Sequence, residues 1–163
     1  MKIKEETIFI RNFLNLYFLM LSLSIISLDQ ISKYIVIKNL SLGESIPREG
    51  LFRFTHAQNT GTAFSLFQNQ TDILTIVSII AIILIIFIFI TIDKPSVYLF
   101  LSYGLLFGGA VGNLSDRLRL GYVTDFLDVG FWPIFNVADS AITIGITLML
   151  FNYLIYNNKN EKD

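Results

Sequence analysis

The run from Ile73 to Ile92 carries no charge and has only Thr75, Ser78 and Thr91 as polar members. Crossing the hydrocarbon core of a bilayer takes about 20 such residues. A water-soluble core in a chain of this size would have to interrupt the run. In lipid each backbone polar group must be satisfied within the segment, so the run is expected to be a transmembrane helix. The rest of the chain agrees. It is 53% hydrophobic and only 15% charged, whereas soluble domains are roughly a quarter charged.

Hydropathy places three more spans, at about Phe13–Val36, Val97–Gly112 and Ala138–Tyr156. Lys2, Lys4 and Arg11 precede the first, as in a secretory signal. The apolar stretch then runs into Asp29-Gln30-Ile31-Ser32-Lys33 with no small-residue cleavage pattern, so it reads as a retained span. The whole chain, 1–163, reads as one integral membrane domain. Asp93-Lys94-Pro95-Ser96 makes a tight link between spans two and three. Two long segments, about 38–70 and 114–137, fall on one side, and both termini on the other. Lysines and arginines are balanced between the sides, so the positive-inside rule does not orient the chain. Leu51-Phe52-Arg53-Phe54-Thr55 has strand composition, and Gly43, Pro47 and Gly50 punctuate it. A small sheet at the membrane surface is expected, with Phe and Leu side chains dipping into the interface.

The absence of cysteine excludes thiol nucleophiles, disulfides and Cys-based metal sites, and the single histidine, His56, excludes a His-rich metal centre. No metal or other cofactor is expected. No basic block points to nucleic acid. His56 reads as a lone surface residue. Ser32 beside Lys33 is a weak dyad, because adjacent helical residues diverge.

Acids near membrane depth need a reason. Asp29 and Lys33 are four apart and share a helix face, so they can pair. They read either as an ion pair fixing the helix end or as support for a site. Asp116 and Arg117 follow the small-residue stretch Gly108–Gly112, which permits close helix approach. Asp139 near a helix start reads alone as a cap. Its company argues for more. Asp116, Asp125 and Asp139 fall at one membrane face with Asn113 and Asn136, and a short loop with Gly130 and Pro133 can fold Asp125 back toward Asp139. Two carboxyls held close share one proton, so one member can activate water while the other donates. That chemistry needs neither metal nor thiol.

These segments together resemble the lipoprotein signal peptidase (signal peptidase II) family. The matches are Asp29-Gln30-x-x-Lys33, Asn59-Thr60-Gly61-x-Ala63-Phe64-Ser65, Gly108-Gly109-Ala110-x-Gly112-Asn113-x-x-Asp116-Arg117, Val123-x-Asp125-Phe126 and Phe135-Asn136-x-Ala138-Asp139-Ser140. They occur in family order over most of the chain. The resemblance implies an all-α membrane protein with four transmembrane helices, a small extracytoplasmic β-cradle and a surface helix. It implies both termini in the cytoplasm of a bacterium, in its cytoplasmic (inner) membrane, and a site on the extracytoplasmic side. The implied activity removes the signal peptide from diacylglyceryl-modified prolipoproteins, before the lipid-bearing cysteine. The implied dyad is Asp125 and Asp139, with Asp116 a third candidate. Asp29, Lys33, Asn59, Gly61, Asn113, Arg117 and Asn136 match positions that line or brace the site. Implied partners are the lipid-modified precursor, membrane lipids and globomycin-type inhibitory peptides. One departure is a shorter loop from Asp125 to Phe135 that carries an extra acid, Asp128.

Two other classes compete. A small proton- or cation-coupled transporter would use the acids as a relay, but such sites lie near the bilayer midplane, and these acids lie at span ends. A non-catalytic scaffold leaves the clustering of acids without a purpose.

Overall fold

The computed structural model describes the backbone of residues 2–61, 70–92 and 96–160, with side chains for 14–61, 70–92 and 96–154. The chain runs α1 (Lys2–Asn39), β1 (Ser45–Ile46), β2 (Arg53–Asn59), α2 (Thr71–Thr91), α3 (Val97–Leu120), β3 (Val123–Asp128) and α4 (Val137–Asn160). All four helices are long and apolar enough to cross a membrane. Their outward side chains are exposed hydrocarbon, such as Ile76, Ile83 and Phe87 on α2 and Leu150 and Leu154 on α4. That surface suits lipid, where outward apolar contact costs nothing.

The helices are joined by small residues. A side chain at Gly109 of α3 would stand 2.5 Å from the Ala138 carbonyl oxygen of α4, and one at Gly112 would stand 2.7 Å from Asp29 Oδ2 of α1. Glycine at these positions lets three helices converge where their polar residues lie. α3 also continues two turns past Gly112, so Asn113, Asp116 and Arg117 are helical. It stops at Gly121, whose φ of 78° is the left-handed conformation that closes a helix; the Gly121 N–H donates to the Arg117 carbonyl.

Two residues later the chain enters β3, the edge of an antiparallel sheet of order β1-β2-β3. Arg53 pairs with Asp128 and Asn59 with Val123, with a register shift between Phe54 and Ala57. Phe126 goes into a core with Val36 and Leu40 at the end of α1, and Phe54 stacks on it. The sheet is thereby fixed to the helix ends. Leu51, Phe52, Phe131 and Trp132 project outward from it, in keeping with a sheet that meets the interface. Among the described residues no separate surface helix occurs. The α2–α3 link at 93–95 and the stretch 62–69, with Ala63, Phe64 and Ser65, lie outside them.

Candidate active site

Alternation along β3 sends Phe126 to the core and leaves Asp125 facing the helix ends, itself 2% exposed. The chain then turns and returns antiparallel. Phe135 N–H donates to the Leu127 carbonyl, and Phe126 and Leu127 N–H groups both donate to the Phe135 carbonyl. This return places Asn136, which precedes α4, beside Asp125. Asp128 secures the turn. It accepts from Gly130 N–H at 2.9 Å and Thr55 Oγ1 at 2.8 Å, and pairs with Arg53 at 2.8 Å. Burial acts against its charge, but the Gly130 N–H, Thr55 and Arg53 outweigh it and hold the carboxyl below its ordinary range. The extra acid of the loop is therefore a fastener between β2 and β3.

Asn136 and Asp139 cap α4 reciprocally. Asp139 N–H donates to Asn136 Oδ1 at 2.9 Å, and Asn136 N–H donates to Asp139 Oδ2 at 3.2 Å. This is the capping-box arrangement, so the plain reading of Asp139 as a cap is realised with one of its oxygens. The other oxygen accepts from Asn113 Nδ2 at 2.8 Å. The Asn136 carboxamide meanwhile donates to Asp125 Oδ1 at 2.7 Å. Asp125 Oδ2 accepts from Asn59 Nδ2 at 2.9 Å, and Asn59 is oriented in turn by the Gly61 N–H on its Oδ1. One residue, Asn136, thus touches both acids. Every carboxylate oxygen of Asp125 and Asp139 accepts one N–H.

Burial, and then the charge of Asp139, push the Asp125 carboxyl up to about 7, against hydrogen bonds from Asn59 and Asn136 and the more distant charge of Lys33. A buried anion facing a second anion is disfavoured, and the proton is retained toward neutral pH.

Asp116 stands apart from this pair. Its Oδ2 accepts from Thr124 N–H at 3.0 Å and from Lys33 Nζ at 3.1 Å, and its Oδ1 accepts from Gln30 Nε2 at 3.1 Å. Lys33 also pairs with Asp29 at 2.8 Å, as the four-residue spacing predicts, and donates to Asn113 Oδ1 at 3.0 Å. Asp29 Oδ1 accepts from Ala138 N–H of α4. Asp29, Lys33 and Asp116 therefore join α1, α3, β3 and α4 beneath the site. Ser32 turns back onto the Asp29 carbonyl, and no dyad with Lys33 forms. His56 is not a surface residue. It is 6% exposed, and its Nδ1 lies 2.9 Å from the Leu40 carbonyl oxygen, under the end of α1. Strand pairing of β2 turns that side chain inward, against the surface position expected from the sequence.

Asp125 and Asp139 open onto a cavity of about 860 Å³. Asn59, Gly61, Asn113 and Arg117 complete its polar end, Val77, Ser78, Ala81, Ala110 and Ile142 form an apolar wall, and Phe131 and Trp132 form the rim. Arg117 reaches Ser78 Oγ at 3.5 Å. Apolar residues on exposed helix faces carry no sequence signal of this kind, so the wall and rim were missed. Gln30 was missed as well: its amide bridges Asp29, Asp116 and the Gly112 carbonyl, although it sits inside a quoted motif.

The model of the family described as signal peptidase (SPase) II matches residues 21–155. The chain belongs to the signal peptidase II family. Among similar relatives are proteins named lipoprotein signal peptidase from three bacteria. That of Dehalococcoides mccartyi is 42% identical over 132 residues, 78% of this chain and 82% of the relative. That of Moorella thermoacetica is 41% identical over 85% of this chain and 93% of its own. That of Fusobacterium nucleatum is 42% identical over 90% and 92%. A bacterial membrane enzyme solved by the in meso method at 2.3 Å resolution superposes with a TM-score of 0.82 at 30% identity, covering 90% of this chain and 92% of that one. Signal peptidase II membership makes the chain a membrane peptidase and places the cavity just described within an enzyme of that family.

Proposed function

We propose that this chain is an aspartyl endopeptidase that removes the signal peptide from diacylglyceryl-modified bacterial prolipoproteins, cutting just before the lipid-bearing cysteine, with Asp125 and Asp139 as the catalytic pair. The observation that carries the reading is that one residue, Asn136, hydrogen-bonds both carboxyl groups at the polar end of a largely apolar cavity. The family match supports the substrate, and none of the similar relatives supports a transporter.

Asp125, with its carboxyl near 7, carries the shared proton at neutral pH, and Asp139 acts as base. Asp139 takes a proton from a water molecule as the water oxygen adds to the scissile carbonyl carbon. Asp125 gives its proton to the carbonyl oxygen, leaving a gem-diol. On collapse Asp139 protonates the leaving nitrogen, the C–N bond breaks, and a gem-diol proton returns to Asp125. The products are the signal-peptide acid and the free α-amine of the lipidated cysteine. Asp116, tied to Lys33 and Gln30 and outside the cavity lining, braces rather than reacts.

The lipid chains of the substrate fit the apolar wall. α2 packs on α3 and makes no backbone approach to α4 among the described residues, so the cavity between them faces the bilayer. From the family resemblance, we place the site on the extracytoplasmic side of the cytoplasmic membrane, with both termini cytoplasmic, and expect peptides of the globomycin type to inhibit by occupying the pair.

Incubating the purified protein with a diacylated precursor peptide tests this. Asp125→Asn and Asp139→Asn should each lower cleavage by roughly 10²–10⁴-fold while the protein stays folded in the membrane. Normal turnover in both variants would end the reading. Loss with Asp116→Asn but not Asp125→Asn would move the pair.

A further inference from the structure

The ammonium of Lys33 is 2% exposed and has three protons and three acceptors: Asp29 Oδ2 at 2.8 Å, Asp116 Oδ2 at 3.1 Å and Asn113 Oδ1 at 3.0 Å. Two carboxylates already answer its charge. The third contact goes to a neutral carboxamide, and that carboxamide belongs to the residue that donates to Asp139. An amide has two orientations of nearly equal shape, and only its hydrogen-bond partners choose between them. Turning Asn113 over would set its amino group against the ammonium of Lys33. It would also set it against the amino group of Asn136, which donates to the same oxygen at 3.1 Å. With both donors on Oδ1, Nδ2 can only face Asp139.

We propose that Lys33 is a positioning residue: its ammonium fixes the orientation of the Asn113 carboxamide, which in turn presents an N–H to Asp139 and an acceptor to Asn136. The inference rests on the assignment of Asp125 and Asp139 as the reacting pair, and Lys33 itself does not reach the cavity. Through Asn136 the same orientation extends to Asp125, whose Oδ1 takes the Asn136 amide at 2.7 Å. A charge buried merely to hold helices together is weak evidence of a stability role, since apolar replacements often serve as well. The third proton needs a buried acceptor in either case, but here the acceptor is the carboxamide whose other end donates to Asp139, so satisfying the lysine also fixes that amide. The charged groups that face the lysine are Asp29 of α1 and Asp116 of α3, which pair with it, and Asp125 of β3 and Asp139 of α4, which lie within reach of its charge, while Arg117 of α3 faces the acids Asp116, Asp125 and Asp139.

The test is a double-mutant cycle on the full-length protein, with a synthetic precursor peptide bearing diacylglyceryl-cysteine. Lys33→Met keeps the stem and removes the donors. It should lower kcat by about 10- to 100-fold through misplacement of the pair, with KM little changed. It should also move the alkaline limb of the pH profile upward, because the charge that opposes the rise at Asp125 is gone. If Lys33 acts through Asn113, then Lys33→Met with Asn113→Ala should be no slower than Asn113→Ala alone. Multiplicative losses, or a change confined to KM with an unmoved pH profile, overturn the inference. Should Lys33→Met not accumulate, the cycle is repeated on an Asp116→Asn background, where one buried anion has been removed. If that also fails to accumulate, Lys33 serves folding alone and the inference falls. Persistence of turnover in Asp139→Asn is a separate result: it removes the assigned pair, whereas additivity with an inactive Asp139→Asn removes only the role of Lys33.

Discussion

Asp125 bears the sharpest conflict between place and charge. Its carboxyl is raised to about 7 by burial and by Asp139, against about 3.9 in an unfolded chain. Between those values the folded protein holds a proton that the unfolded chain has released. Stability therefore falls as pH rises from about 4 to about 7 and stays at the reduced level above. Asp125→Asn has no such proton to lose. Its unfolding temperature in detergent should gain on the parent protein between pH 5 and pH 8, and an unchanged difference would mean that Asp125 titrates normally. The same value sets the chemistry. In the proposed mechanism, loss of the Asp125 proton disarms the acid, so kcat/KM should fall on an alkaline limb near pH 7. A profile flat to pH 9 would assign the proton elsewhere.

Helix α3 does most of the positioning. Gly109, Gly112, Asn113 and Asp116 recur at helical spacing along one face, and that face meets α1 and α4. Gly109→Ala would drive a methyl group into the Ala138 backbone, which cannot yield as a flexible side-chain tip would. A loss of roughly 1–3 kcal/mol is expected from such overpacking, together with reduced cleavage as the start of α4 and Asp139 shift. Thermal unfolding and turnover of the one variant check both. β3 works by alternation instead, with Phe126 fastened to Val36 and Leu40 so that its neighbour Asp125 faces the site. The turn that brings Asn136 back depends on Asp128, Gly130 and Arg53.

Taken whole, α3 packs against the other three helices, while α2 approaches only α3 closely and leaves a gap toward α4 among the described residues. At its end away from the site α2 is held by rings, Phe89 stacking on Phe18 at 4.1 Å and meeting Phe100 edge-on at 5.0 Å. Near the site it has Leu74 buried and the long Arg117–Ser78 contact. Under the proposed function, a lipid-anchored peptide enters sideways between α2 and α4 with its acyl chains left in the bilayer. The chain has no cysteine, so thiols introduced at Val77 and Ile142, which line the two sides, would be the sole targets of a reducible cross-linker. Cross-linking should stop cleavage of the diacylated precursor, and reduction should restore it. Full turnover by the cross-linked protein would place the entrance elsewhere.

Four apolar spans, their helical state, the Asp29–Lys33 pair and the gathering of acids at one membrane face could all be read from the chain. Each depends on local composition or on spacing along one helix, and in lipid the backbone has few alternatives. Tertiary structure alone decided which acids meet. Asp116 and Asp139 are both helical, polar-flanked and near a span end, yet α1 delivers an ammonium to the first and the β3 return delivers Asn136 to the second. Partners that arrive from distant elements leave no periodic trace in a sequence. For the same reason His56, predicted exposed, is buried, and the cavity wall on α2 and α4 could not be told from the rest of their lipid-facing surface.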